Sequence, residues 1–165
     1  MKPFKTISCI CCLVLMYSCI ATLLPVTVKQ NSTLEGYKYV YISPTSGITS
    51  TTGGIYGGTY GLYGAAETKS VSPGDIIAGY MIRKGFIQVP EIRPELATQT
   101  LIINYGESGR RNVAWGYTIE VTLQFLSAQT LEIICTSTAE GMGSTESDDI
   151  RIAINRALEE TFAAK

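Results

Sequence analysis

Two groups of residues have side chains that could bind a ligand. Arg110 and Arg111 are adjacent and follow a predicted turn at 106–109, and guanidinium groups bind anions and carboxylates. The alternative is that both are solvated surface charges. The second group consists of three tyrosines in a glycine-rich segment, Tyr56, Tyr60 and Tyr63. Tyrosine combines a large contact area with a polar tip, which suits the binding of sugars or protein partners. The alternative here is a disordered loop, or a hairpin whose tyrosines pack back on the sheet.

Residues for catalysis, metal binding or cofactor binding are not apparent in the sequence. There is no histidine, which excludes the Ser-His-Asp triad and the commonest metal ligand. The carboxylate pairs Asp148-Asp149 and Glu159-Glu160 fit the capping turn and solvated face of a helix. Cys135 lies in a predicted strand, where we expect a small buried core residue. The sequence therefore predicts a protein that is not an enzyme and has neither a metal nor a cofactor.

The charge balance argues against a nucleic-acid partner. The 165 residues carry 13 Lys or Arg and 14 Asp or Glu, which gives a formal net charge of −1. A nucleic-acid binder needs an excess of positive charge to neutralise phosphates.

The N-terminal residues have the pattern of an export signal. Lys2 and Lys5 precede a short apolar run, and Met16-Tyr17-Ser18-Cys19 resembles a bacterial lipobox. We therefore predict a signal peptide at 1–18 and lipidation at Cys19. Ordinary cleavage after Ala21 remains open, as does an uncleaved membrane anchor, although the run is short for a membrane-spanning helix.

The rest of the chain predicts a tether and one domain. Residues 19–30 are a lipidated tether that enters a first strand, and 31–165 form a single domain. A Gly/Tyr-rich loop at 44–71 interrupts it, and no charged residue occurs between Lys38 and Glu67. A segment of this length without secondary structure tends to be functional or disordered.

Periodicity predicts an α+β fold. Strands are expected at 26–29, 37–42, 101–105, 117–125 and 131–136. Ser72 caps a first helix that ends at Gly85, and Ile150, Ile154 and Leu158 belong to the apolar stripe of the last helix. We expect a mainly antiparallel sheet of about five strands with two helices on one face.

Several of these segments together resemble a known family. They are Leu34–Val40, the helix before Lys84-Gly85-Phe86, the strand Leu101–Tyr105, the hairpin Ile119–Thr136 and the helix Ile150–Phe162. They are similar to an uncharacterised family of bacterial lipoproteins whose domain has no known function. The chain departs from that family in lacking its acidic residue and tryptophan near the hairpin, and in its Gly/Tyr insertion. The fold also looks loosely like small lipoproteins that activate cell-wall synthases or assist curli secretion. The resemblance implies no catalytic residues.

These features predict an exported cell-envelope protein that acts as a binding or assembly module. The resemblance and Cys19 point to an outer-membrane lipoprotein that faces the periplasm or the surface; the alternative is a soluble secreted or periplasmic protein. The predicted partners are the membrane, through the lipid, and an envelope protein or glycan. Two other functions remain open: a secreted enzyme of unfamiliar design, and a structural subunit that self-assembles through strand edges.

Overall fold

The computed structural model describes residues 22–58, 61–114 and 116–163, with only the backbone between 50 and 69. It contains eight strands, two α-helices and one short 3₁₀ helix at Pro94–Gln99. The helices are α1 (Pro73–Arg83) and α2 (Glu146–Ala163). The strands are β1 (Thr27–Gln30), β2 (Tyr39–Ile42), β3 (Ile48–Gly58), β4 (Gly61–Val71), β5 (Ile87–Gln88), β6 (Thr100–Val113), β7 (Gly116–Ser127) and β8 (Ile133–Gly141). The predicted α+β class is confirmed.

The main sheet is mixed, so the prediction of a mainly antiparallel sheet of about five strands is wrong. Six strands lie in the order β1-β8-β7-β6-β2-β5. The pairs β1–β8, β8–β7 and β7–β6 are antiparallel, whereas β2 pairs in parallel with both β6 and β5. Parallel neighbours need a long crossover, and α1 lies within the connection from β2 to β6. Side-chain alternation does not report the direction of pairing, so the sequence pattern could not reveal this.

The segments predicted as a Gly/Tyr-rich loop, for which a hairpin is one alternative, and as a turn at 106–109 both contain strands. Within the predicted loop at 44–71, β3 and β4 pair with each other as a separate antiparallel two-stranded sheet. The predicted turn at 106–109 lies inside β6, which continues to Val113 with a bulge between Glu107 and Gly109. Glycine, serine and glutamate at these positions suggested a turn, but a bulge accommodates them while the strand keeps its partner.

The core lies between the two helices and one face of the six-stranded sheet. From α2, Ile150, Ile154 and Leu158 are fully buried. The matching residues of β7 are also fully buried: Ile119, Val121, Leu123 and Phe125. The stripe of the last helix therefore packs on the sheet face formed by β7, although Tyr117, near the start of that strand, is 36% exposed. Cys135 is fully buried in this core, as predicted, and burial raises the pKa of its thiol.

Gly141, at the end of β8, allows α2 to approach the sheet closely. A Cβ at this position would overlap the carbonyl oxygen of Asp149 and come within 2.7 Å of the Ala153 nitrogen. Both atoms belong to the helix backbone, which cannot move aside without shifting α2. We expect Gly141→Ala to lower the free energy of unfolding by about 1–3 kcal/mol or more.

Chemical denaturation can measure this cost, with Gly106→Ala as the control. Gly106 also lies in a strand, but a Cβ there would meet no atom within 4 Å. Equal stability changes in the two variants would contradict the close helix–sheet approach at Gly141.

Candidate functional site

The face of the sheet opposite the helices is polar, and we call it the open face. Its central strand, β7, places Glu120, Thr122 and Gln124 there, all partly exposed. The cross-strand partners of Thr122 are Gly106 on β6 and Thr138 on β8. Period-two alternation produces this face, because the apolar residues between these positions face the helices.

A row of hydroxyl groups crosses the open face and ends on a carboxylate. Thr122 Oγ1 donates to Ser108 Oγ at 3.0 Å, and Ser108 Oγ donates to Glu120 Oε1 at 2.7 Å. Because Thr122 has a single proton, Thr138 is the donor in the 2.9 Å contact between the two threonine hydroxyls. All the hydroxyl hydrogen-bond donors in this row therefore point toward Glu120.

The bulge in β6 opens a shallow cavity beside this row. The cavity has a volume of about 190 Å³, and its lining includes Asn104, Ser108, Thr122 and Gln124. Tyr105 and Glu107 alternate with the open-face residues of β6 and lie opposite Leu123 and Val121 on the helix side, where the Tyr105 hydroxyl donates to Glu107 Oε1 at 3.1 Å. Burial, together with the neighbouring Glu107 carboxylate, raises the pKa of Tyr105 well above its usual value. Tyr105 therefore remains a neutral hydrogen-bond donor at physiological pH.

The same bulge determines the directions in which the two predicted arginines point. After it, Arg110 lies opposite Ile119 on the helix side, and Arg111 lies opposite Thr118 on the open face. Arg110 pairs with Glu146 at the start of α2 and lies over the Tyr117 ring, 5.2 Å from its centroid. Arg111 pairs with a different carboxylate. Each arginine therefore binds a carboxylate of this chain, and neither is a free surface charge.

Arg111 is part of a group that holds the N-terminal segment against the sheet. Its Nε donates to Glu140 Oε1 at 2.7 Å and its Nη2 to Glu140 Oε2 at 2.6 Å. Glu140 is only 3% exposed and also accepts bonds from the Leu24 backbone N–H at 2.9 Å and from Thr118 Oγ1 at 3.2 Å. A two-pronged arginine–carboxylate pair of this kind fixes geometry as well as charge.

Three further hydrogen bonds complete this contact. Arg156 of α2 donates to the carbonyl oxygens of Glu140 and of Leu24, the latter at 2.9 Å. Arg111 Nη2 also donates to the Thr22 carbonyl oxygen at 3.2 Å. We call Arg111, Thr118, Glu140 and Arg156 the tether clamp, since together they hold the backbone of residues 22–24.

The Glu140 carboxyl is strongly stabilised in its charged form. Hydrogen bonds from Arg111 are the main cause, and they outweigh the opposing effect of burial, so the pKa of Glu140 falls to about 2 from a usual value of 4.5. A lowered native pKa contributes stability above pH 4.5 that is lost as the pH falls toward 2.

We expect Glu140→Gln to lower the free energy of unfolding by about 1–3 kcal/mol at pH 7, because the charge-assisted bonds are lost. Between pH 4.5 and pH 2 the difference from wild type should shrink, since wild-type Glu140 is then losing its own charge. Urea unfolding at pH 7, 4 and 3 measures the trend, with Glu160→Gln on the exposed side of α2 as control. A difference that stays constant across this range would contradict the assigned role.

The structure describes only some of the other predicted site residues. Tyr56 and Tyr63 are cross-strand partners in the backbone register of β3 and β4, while Tyr60 and Cys19 lie outside the described residues. Sequence reasoning missed Glu140 and Arg156. The signal for Glu140 was its position in a polar series at period two, with Thr136 and Thr138.

Two kinds of feature are absent from the described residues. No three His, Cys, Asp or Glu side chains among them are grouped so as to hold a metal ion. None of the helices in that part of the chain is both long enough and apolar enough to cross a membrane.

Comparison with known proteins gives matches only among solved structures. No family model and no curated protein matches the chain. The PelC dodecamer from Paraburkholderia phytofirmans, in space group P6, is 17% identical with a TM-score of 0.48, over 82% of this chain and 96% of the PelC chain. A point variant of that dodecamer in space group C2 is also 17% identical, with a TM-score of 0.46 over 81% of this chain and 94% of its own.

Proposed function

We propose that the chain is a lipid-anchored protein of the cell envelope whose domain is held next to the membrane and binds a partner on its open face. The tether clamp is the observation that carries this proposal. A buried carboxylate and two arginines hold the backbone of Thr22 and Leu24, immediately after the predicted lipidation site. A tether that only needed to be long and mobile would gain nothing from these bonds.

The clamp limits how far the domain can move from an anchored lipid. Cys19 lies three residues before Thr22, and an extended chain spans at most about 3.3–3.6 Å per residue, so the two are at most about 10–11 Å apart. With lipid on Cys19, the clamped domain would stand directly beside the bilayer. We place it at the outer membrane, facing the periplasm or the surface.

The open face is the proposed binding surface. It presents hydroxyl, amide and carboxylate groups on three adjacent strands, with a shallow cavity among them. These groups suit an envelope protein or a glycan, both of which offer hydrogen-bond donors and acceptors. We propose binding rather than catalysis because the carboxylates of this face, Glu120 and Glu140, each already accept a hydrogen bond from this chain.

Photocrosslinking in intact cells tests the binding surface. A photoreactive residue at Thr122 lies on the open face, and the same residue at Glu160 lies on the exposed side of α2 as a matched control. We expect a discrete adduct from position 122 and none from position 160. The absence of an adduct at 122, or the same adduct at both positions, would contradict the proposed surface.

A further inference from the structure

The hairpin formed by β3 and β4 is a second sheet with two free edges. Each strand has 11 residues, and their register runs from Ile48–Val71 at the base to Gly58–Gly61 at the tip. Within the described residues, neither strand pairs with the six-stranded sheet. Among the residues that the structure describes, the outer edge of each strand therefore has no partner strand for its backbone N–H and C=O groups.

The base of this hairpin is firmly attached to the domain. Val71 is 4% exposed, and Ile48 packs against the core. The Gly74 backbone N–H, at the start of α1, donates to Thr45 Oγ1 at 2.9 Å. The position of the base is thus fixed, although in the described part of the chain the two strands beyond it have only each other as sheet partners.

A two-stranded hairpin is at best marginally stable in water, and further strands or packing are needed to stabilise it. Over most of its length this hairpin lacks the features with which proteins protect exposed strand edges. No proline occurs within 48–71, and its two charged residues, Glu67 and Lys69, lie near the base of β4. Its glycines have no side chain that could hinder the approach of a neighbouring strand. They are Gly53, Gly54, Gly57, Gly58, Gly61 and Gly64.

We propose that the hairpin pairs edge to edge with the hairpin of a second copy of this chain. The two edges match in length, because both strands have 11 residues. They also match in direction, because β3 and β4 run antiparallel within one copy. When two copies stand side by side in the same orientation, β4 of one copy is therefore antiparallel to β3 of the next. This pairing goes beyond the proposed function and does not require the lipid.

Pairing of this kind leaves one free edge at each end of the assembly, so it continues beyond a dimer. Each added copy would turn a marginal two-stranded sheet into part of a larger one. The inner strands would then have partners on both sides, as in a stable sheet.

A proline at an outward position tests the pairing. In a hairpin with two residues between its strands, the residues that flank those two exchange both hydrogen bonds. Gly58 and Gly61 occupy these positions in the register, so alternation along β3 turns the N–H of residue 51 outward. Thr51→Pro removes an edge donor without removing a bond between β3 and β4, whereas Thr51→Val keeps the donor.

Native mass spectrometry of the full chain in detergent measures the result. We expect wild type and Thr51→Val to form assemblies larger than a dimer, and Thr51→Pro to be a monomer with an unchanged thermal melt of the domain. A monomeric wild type, or an assembly that survives Thr51→Pro unchanged, would overturn the proposal.

Hydrogen exchange of the wild-type chain gives a second readout that does not depend on a variant. An unpaired hairpin protects only the amides that point between β3 and β4, about half of them. We expect the outward amides of 49–57 and 62–70 to be protected as well in the assembled protein. An assembly in which these outward amides exchange freely would show that the copies meet elsewhere.

Discussion

Replacing Ile154 with alanine is expected to lower the free energy of unfolding by about 2–5 kcal/mol. Ile154 lies in the middle of α2 and is fully buried against β7, where Val121 and Leu123 are fully buried too. Truncation removes the transfer free energy of the lost methyl and methylene groups and leaves a cavity that the rigid sheet cannot fill. In a domain of this size that is a large part of a total of about 5–15 kcal/mol.

Ile152→Ala is the matched control for this prediction. It makes the same change on the same helix at a position that is only partly buried, and we expect it to cost much less. Thermal melts and urea titrations of the two variants and wild type provide the comparison. If the Ile154→Ala melt overlaid that of wild type, α2 would not pack on the sheet as described.

The elements that were predicted well are those whose sequence period matches a face of the core. In β7, apolar residues alternate with Thr118, Glu120, Thr122 and Gln124, and the strand has one buried face. In α2, Ile150, Ile154 and Leu158 recur at helical spacing and form the buried stripe. Burial on one face imposes both patterns, so they can be recognised without knowing what lies opposite.

The features that were missed depend on pairing between distant segments. Whether β2 runs parallel or antiparallel to β6 depends on the path of the chain between them, which side-chain alternation does not encode. The sequence at the bulge in β6 predicts a turn, because Gly106 and Gly109 suit either conformation. Only the continued pairing of Arg110 and Arg111 with β7 distinguishes the two.

The tether clamp of the candidate site also depends on contacts between distant segments, which the sequence does not reveal. Arg111 was recognised as a group that could bind a carboxylate, but nothing in its neighbourhood indicates that the carboxylate is Glu140, 29 residues away. The bond from Arg156 to the Leu24 carbonyl joins residues 132 positions apart. The chemistry of one partner was visible in the sequence, whereas the identity of the other came from the fold.

Cys19→Ser is expected to remove the protein from the membrane fraction, or to leave it there only as the uncleaved precursor. Acyl chains contribute about 0.8 kcal/mol per buried CH₂, and stable anchoring takes two signals, such as two chains. Serine provides no thiol to carry lipid. The mildly acidic chain has a formal net charge of −1, which would not replace the lipid as an attraction to anionic membranes.

Cys135→Ser is the control for the loss of a cysteine. Cys135 is fully buried in the core, so its thiol is not available for lipidation. We expect this variant to remain in the membrane fraction, provided that it folds. Loss of both variants from the membrane would indicate a folding defect rather than the loss of an anchor.

Labelling cells with a radioactive fatty acid, followed by fractionation, tests the lipid-anchored account most directly. The wild-type chain should carry the label, migrate at the size of a chain that begins at Cys19 and remain with the membranes, while Cys19→Ser should carry no label. An unlabelled wild type that is processed after Ala21 and found in the soluble fraction, with Cys19→Ser behaving identically, would contradict the account.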